Sequence, residues 1–164
     1  MIRPLFSAQR LFLSLNFLTD FLEYIEKLRH GIIFKSGKLT FYVMTNDGFK
    51  VERTSTVFFV RLPDGSKAYL KYGVVGDRLS LIETYTPEAY RGRGLAKLLV
   101  DEAVEYAVEK GLRIVPLCSY SVYYFIKFRD RRVLLADEYR DMGESELGEY
   151  YRERLGYERS KRSS

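Results

Sequence analysis

Arg91-Gly92-Arg93-Gly94-Leu95-Ala96 stands between an alternating run, Leu79 to Thr86, and an amphipathic run that continues to Lys110. Strand, glycine-rich turn, helix is an order that builds an anion site. The first turn of a helix has backbone N–H groups without intrahelical partners, and the helix dipole adds about half a positive charge there. Gly92 and Gly94 carry no Cβ, so the turn can take positive φ and let an oxygen approach successive N–H groups. Arg91 and Arg93 add forked donors suited to a pyrophosphate, or else form a solvated basic edge.

The competing glycine motifs fail on single letters. A dinucleotide fingerprint needs a third glycine or alanine where Lys97 stands, and a Walker A loop needs a Gly-Lys-Ser/Thr ending. Outward from the turn, Val57 to Leu62, Pro63-Asp64-Gly65 and Lys67 to Tyr72 read as a β-hairpin, with Ala68, Leu70 and Tyr72 on one face. Strict alternation through Leu79 to Thr86 puts Leu79, Leu81, Glu83 and Tyr85 on one side. After the turn, Leu95, Leu99, Ala103 and Ala107 form a helical stripe, with Gly111 as its cap. A strand follows at Leu112 to Leu117, then Cys118-Ser119-Tyr120-Ser121, and Val122 to Phe128 reads as a short aromatic helix. Leu147, Tyr151 and Leu155 mark a last amphipathic helix that Gly156 is expected to stop, leaving Arg159 to Ser164 frayed.

Upstream, Leu11, Leu15, Leu18, Leu22 and Ile25 recur at helical spacing. Asp20, Glu23, Glu26 and Lys27 interrupt the run, so it reads as an amphipathic helix rather than a membrane span or a signal peptide. Gly31 would end it, and short strands are expected at 32–34 and 39–43. The expected organisation is an N-terminal extension over 1–43, a core over 44–129 that starts at Met44, and a charged helical tail over 130–164.

Composition bounds the function. The chain has 164 residues, 46% of them hydrophobic and 30% charged, enough for one domain with a real core. The net charge of +5 suits an anionic ligand but equally nucleic acid. With one cysteine, Cys118, and one histidine, His30, neither an internal disulfide nor a Cys/His zinc site can form, and a reducing, cytoplasmic setting is expected. Scarce Asn, Gln, Cys and His beside abundant Arg, Glu and Tyr lean toward a thermophilic source.

Arg91-x-x-Gly94-x-Ala96, entered from a strand and followed by a long helix, resembles motif A of the GNAT acetyltransferase superfamily. Tyr72, Thr84, Pro116, Cys118 and Tyr124 extend the likeness to its small one-domain subfamily over about Lys67 to Lys127. Glu83 stands where that subfamily has histidine. The resemblance implies an α+β (mixed α/β) fold: a twisted mixed sheet flanked by helices, here with an extra N-terminal helix and a C-terminal helical tail. It also implies acetyl-CoA as co-substrate. The pyrophosphate would lie on Arg91, Gly92, Arg93, Gly94, Leu95 and Ala96, and the pantetheine arm on Thr84, Tyr85 and Thr86.

The implied reaction is direct attack of an unidentified amine on the acetyl thioester. Glu83, among leucines, is the candidate base if desolvated, or else the partner of a nearby Lys or Arg. Tyr124 is the candidate acid for the CoA thiolate, or else a packing residue. Cys118 is either a nucleophile or a small buried side chain. Two other functions stay in view: a CoA-binding module without catalysis, and a basic nucleic-acid-binding protein. The latter is disfavoured because Asp137, Glu138, Asp141, Glu144 and Glu146 break up the basic surface. A homodimer stays open.

Overall fold

Ala68, Leu70 and Tyr72 alternate with Lys67, Tyr69 and Lys71, and that period of two builds the centre of the sheet. The structure, a computed structural model, describes residues 48–162. The helix expected over 11–28, the short strands before residue 44 and the boundary at Met44 lie outside the described residues. Among those described, five strands form one sheet in sequence order: β1 Val51–Arg53, β2 Val57–Arg61, β3 Lys67–Val75, β4 Arg78–Tyr85 and β5 Arg113–Pro116. The first four run antiparallel, and β5 lies parallel to β4. The β2–β3 hairpin closes at Asp64, whose carboxylate accepts from Ser66 N at 3.0 Å and Ser66 Oγ at 2.6 Å, with Gly65 at φ 81°.

The parallel step from β4 to β5 requires a crossover, supplied by helix α1, Leu95–Lys110. Its buried stripe includes Leu95, Leu99, Ala103 and Ala107, as the spacing predicts, together with Leu98, Val100, Val104 and Val108. Gly94 at φ 78° opens the helix and Gly111 at φ 63° closes it, both in the left-handed region that glycine enters without strain. α1 packs on β2, β3 and β4, whose Phe58, Val60, Leu70, Leu79 and Leu81 are fully buried. Each such side chain contributes about 1.5–3 kcal/mol by leaving water.

Three differences from the sequence reading bear on function. First, β4 does not alternate strictly. Tyr72 pairs with Leu81 while its neighbour Lys71 pairs with Glu83, so Ile82 is an extra residue, a β-bulge. Glu83 is therefore turned away from Leu79 and Leu81; it and Tyr85 lie opposite Lys71 and Tyr69, and Thr84 takes the core face opposite Leu70. Second, the helix expected from Val122 begins earlier: α2 spans Ser119–Lys127, with Cys118 as its N-cap accepting from Ser121 N.

Third, Gly156 does not stop the last helix, and the segment after it does not fray before Arg162. A 3-10 turn, Arg129–Leu134, and the short helix α3, Asp137–Arg140, lead into α4, Glu144–Arg162, which runs through both Gly148 and Gly156. A glycine inside a helix costs about 1 kcal/mol relative to alanine. Tertiary anchors outweigh that. Leu147 is fully buried, Tyr150 Oη donates to Pro116 O at 3.1 Å, and Arg154 Nε donates to Leu117 O at 2.5 Å.

Candidate active site

β4 and β5 stay together only as far as Leu81 and Pro116. The last contacts are two bonds from Leu117 N and Cys118 N to Leu81 O, each 3.0 Å. Beyond the bulge, β4 keeps its pairing with β3 through Tyr85 but has none with β5. The opening between the strands leads to the glycine turn and the first turn of α1. A cleft of about 410 Å³ is lined by Thr84, Tyr85, Thr86, Tyr90, Arg91, Gly92, Gly94, Leu95, Ala96 and Tyr120.

Thr84, Tyr85, Thr86, Arg91, Gly92, Gly94, Leu95 and Ala96, read from separate stretches, thus come together on one surface. Arg93 does not join them: its guanidinium lies over the Tyr90 ring, 5.1 Å from the centroid. Among the described residues, the ion-pair contact of Arg91 is with exposed Glu88 at 3.7 Å. Two details fit a pyrophosphate-bearing ligand. A Cβ built at Gly92 or Gly94 meets nothing within 4 Å, so there is open space over the helix start. The Thr86 hydroxyl oxygen is buried and, among the described residues, lacks a hydrogen-bond partner.

The three residues named as candidates for chemistry, Glu83, Tyr124 and Cys118, have these surroundings. Glu83 is not desolvated among leucines, because the bulge has moved it. Its Oε2 accepts from Lys71 Nζ at 2.7 Å and its Oε1 from Tyr69 Oη at 2.8 Å, and its side chain is 47% exposed. Lys71 foremost, with help from the Tyr69 hydroxyl and against a smaller effect of burial, holds the carboxyl below the ordinary range rather than above it. The alternative reading, an ion pair with a neighbouring lysine, is what the chain forms.

Tyr124 is buried and does not line the cleft. Its hydroxyl donates to Asp101 Oδ1 at 2.5 Å and is also in close contact with Arg131 Nη1. Asp101 in turn receives Arg131 Nη1 at 2.7 Å and Lys97 Nζ at 2.6 Å, so this cluster ties α1, α2 and the 3-10 turn together. Cys118 is 2% exposed; its sulfur lies 3.2 Å from Thr84 Oγ1 and 3.2 Å from Ser121 Oγ, between β4 and the start of α2.

Of the α2 tyrosines, Tyr120 lines the cleft, beside Tyr85 and Tyr90 from the other elements. Burial first, then the charge of Asp101, pushes its phenol up to about 12. It was legible only as part of Cys118-Ser119-Tyr120-Ser121. Recognising Cys118 as a helix cap would have placed Tyr120 in the first turn. Among the described residues no group of three or more His, Cys, Asp or Glu could hold a metal, and no helix is long and apolar enough to cross a membrane.

A sheet split beside a glycine turn at a helix start, with a tyrosine opposite, defines a small GNAT-type protein. The model of GCN5-related N-acetyl-transferases matches residues 57–133. Protein NATD1 of Bos taurus is 41% identical over 78 residues, covering 46% of this chain and 68% of that protein. NATD1 of Homo sapiens is 40% identical over 75 residues, covering 44% and 66%. A solution structure of a GCN5-like protein from Staphylococcus aureus is 20% identical, overlaps 53% of this chain and 87% of its own, and has a TM-score of 0.43. The chain belongs to the GCN5-related N-acetyltransferase family, and is similar to its small NATD1-like members.

Proposed function

We propose that this chain is an acetyl-CoA-dependent N-acetyltransferase that acts by direct attack of an amine. The observation that carries the reading is the opening of β4 from β5 beyond Leu81, continuous with the N-terminus of α1. Acetyl-CoA supplies the acyl group: the amine nitrogen bonds to the thioester carbonyl carbon, the carbon–sulfur bond breaks, and the thiolate takes up a proton.

The chain's residues then have separable tasks. The N–H groups of the turn from Gly92 to Ala96, with Arg91, hold the pyrophosphate through helix-end donors and charge. The unpaired edge of β4 at Thr84 to Thr86 offers backbone donors and acceptors to the pantetheine arm. Tyr120, which lines the cleft and carries its phenolic proton at neutral pH, is the donor to the leaving thiolate.

Glu83, ionised and paired, is a poor proton acceptor. We assign it instead to anchoring the incoming ammonium in competition with Lys71. The amine then loses its proton to solvent, and catalysis rests chiefly on alignment and charge stabilisation. Cys118, buried between Thr84 and Ser121, holds the split in shape rather than forming an acetyl-enzyme. A CoA-binding module without catalysis is the second reading, favoured by the same engaged Glu83 carboxylate.

Turnover separates the two. The purified protein is incubated with acetyl-CoA and a panel of amino acids, spermidine, tyramine and lysine-containing peptides, and products are followed by mass spectrometry. An acetylated amine whose formation saturates in acetyl-CoA supports the enzyme; measurable acetyl-CoA binding with no product across the panel supports the module.

A further inference from the structure

The last helix was expected as an appended tail, yet its far end touches the cleft-forming elements. Glu158, four turns into α4, accepts from Ser119 N at 2.7 Å through Oε1 and from Ser119 Oγ at 2.6 Å through Oε2. Ser119 is the first residue of α2 and is 8% exposed. A carboxylate there satisfies a helix-start N–H that has no intrahelical partner, and its charge is favourable against the helix dipole. Bonds to an ionised acceptor are also about twice as strong as neutral ones. The residue before Ser119 is Cys118, touching Thr84 of β4; the residue after it is Tyr120, lining the cleft.

We propose that Glu158 is a positioning residue of the active site: by gripping Ser119 with both oxygens it fixes the first turn of α2, and through it sets Tyr120 against the opened end of β4. Two further contacts on the same helix seat it there, Tyr150 on Pro116 O and Arg154 on Leu117 O. Together the three hold the end of β5 and the segment after it, at Pro116, Leu117 and Ser119. This assignment rests on the acyl-transfer reading for Tyr120, but the grip on Ser119 can be measured without turnover.

Cys118 is the chain's one cysteine, so its alkylation by iodoacetamide reports the start of α2 without ambiguity. Glu158→Ala removes both acceptors; Glu158→Gln removes the charge but keeps an oxygen for Ser119 N and an amide that can donate to Ser119 Oγ. Losing two charge-assisted bonds should open this turn about tenfold or more often. The expected result is alkylation at least about tenfold faster in the alanine variant than in the glutamine variant. Turnover with the best amine of the panel should fall by about tenfold or more in the alanine variant, with the acetyl-CoA KM unchanged, and recover largely in the glutamine variant. Equal alkylation of the two variants overturns the grip, since only the lost charge would then act on the thiol. Faster alkylation with unchanged turnover overturns the positioning role. If Glu158→Ala does not fold, Glu158→Asp, one methylene short of Ser119, replaces it under the same criteria. A wild-type protein without turnover breaks the acyl-transfer reading instead, and the alkylation result alone then decides the grip.

Discussion

The two walls of the cleft are built on different scales. One wall lies within six consecutive residues, Arg91 to Ala96, whose geometry follows from two left-handed glycines and a helix start. The other is assembled from Thr84 to Thr86 on a bulged strand and Tyr120 on a helix whose first residue is held from position 158. A local wall is carried by its own backbone, so single residues there control binding directly. A composite wall depends on long-range contacts, so changes in it should act on rate and stability before they act on cofactor affinity.

The sharpest way to break that contrast is at Gly94. Gly94→Asp places a carboxylate in the open space over the α1 N-terminus and forces a side chain into φ 78°. Acetyl-CoA affinity should fall by about a hundredfold or more, the loss of two or so charge-assisted bonds plus repulsion. Calorimetry on a variant shown folded by circular dichroism checks this; unchanged affinity would show that the turn does not hold the pyrophosphate.

Tyr120, on the composite wall, and Tyr124, buried off the cleft, should respond in opposite ways. Tyr120→Phe is expected to lower turnover by about a hundredfold with acetyl-CoA affinity kept within about twofold. Tyr124→Phe removes one donor from Asp101, which keeps Lys97 and Arg131, so its cost should appear as about 1–3 kcal/mol of stability. Urea titration and steady-state rates on both variants give the comparison; a rate loss at Tyr124 without destabilisation would return the acid role to that residue.

The smallest effects belong to Glu83 and Cys118. With its carboxyl held low by Lys71, Glu83→Gln should change turnover by less than about tenfold, well short of general-base loss. Turnover should rise with pH toward the amine's own pKa, and Tyr120 should impose no falling limb until near 12. The folded carboxyl of Glu83 lies below its usual value of 4.5, so the pair contributes stability above that value, and the contribution is lost as pH falls through the lower folded one. Both partners are about half exposed, and the contribution is under about 1 kcal/mol after screening. Wild-type and Gln variants should therefore melt together in acid and separate slightly at neutral pH. Cys118→Ala should remain active. A bell-shaped profile that loses its acidic limb in the Gln variant would restore Glu83 as the base.

How much was legible follows the same division. The hairpin, α1 with both glycine caps, and the turn read directly, because period, cap and turn chemistry act over a few residues. β1 Val51–Arg53 was not recognised because three residues carry too little pattern. The phase of β4 was misread because a bulge inserts one residue without leaving a mark in the alternation, and one residue is enough to send Glu83 to the opposite face.

What the sequence determined by itself is the glycine turn at the start of α1 and the order of elements around it, since backbone conformation at Gly92 and Gly94 and the dipole of α1 need no distant partner. Only the tertiary structure decided which side chains face the cleft. Tyr120 rather than Tyr124 reaches it, Glu83 is engaged by Lys71, and α4 persists through Gly156 to bring Glu158 onto Ser119. The physical reason is that these outcomes depend on register and on contacts between residues up to 39 apart, where packing free energies outweigh the local preferences a sequence displays.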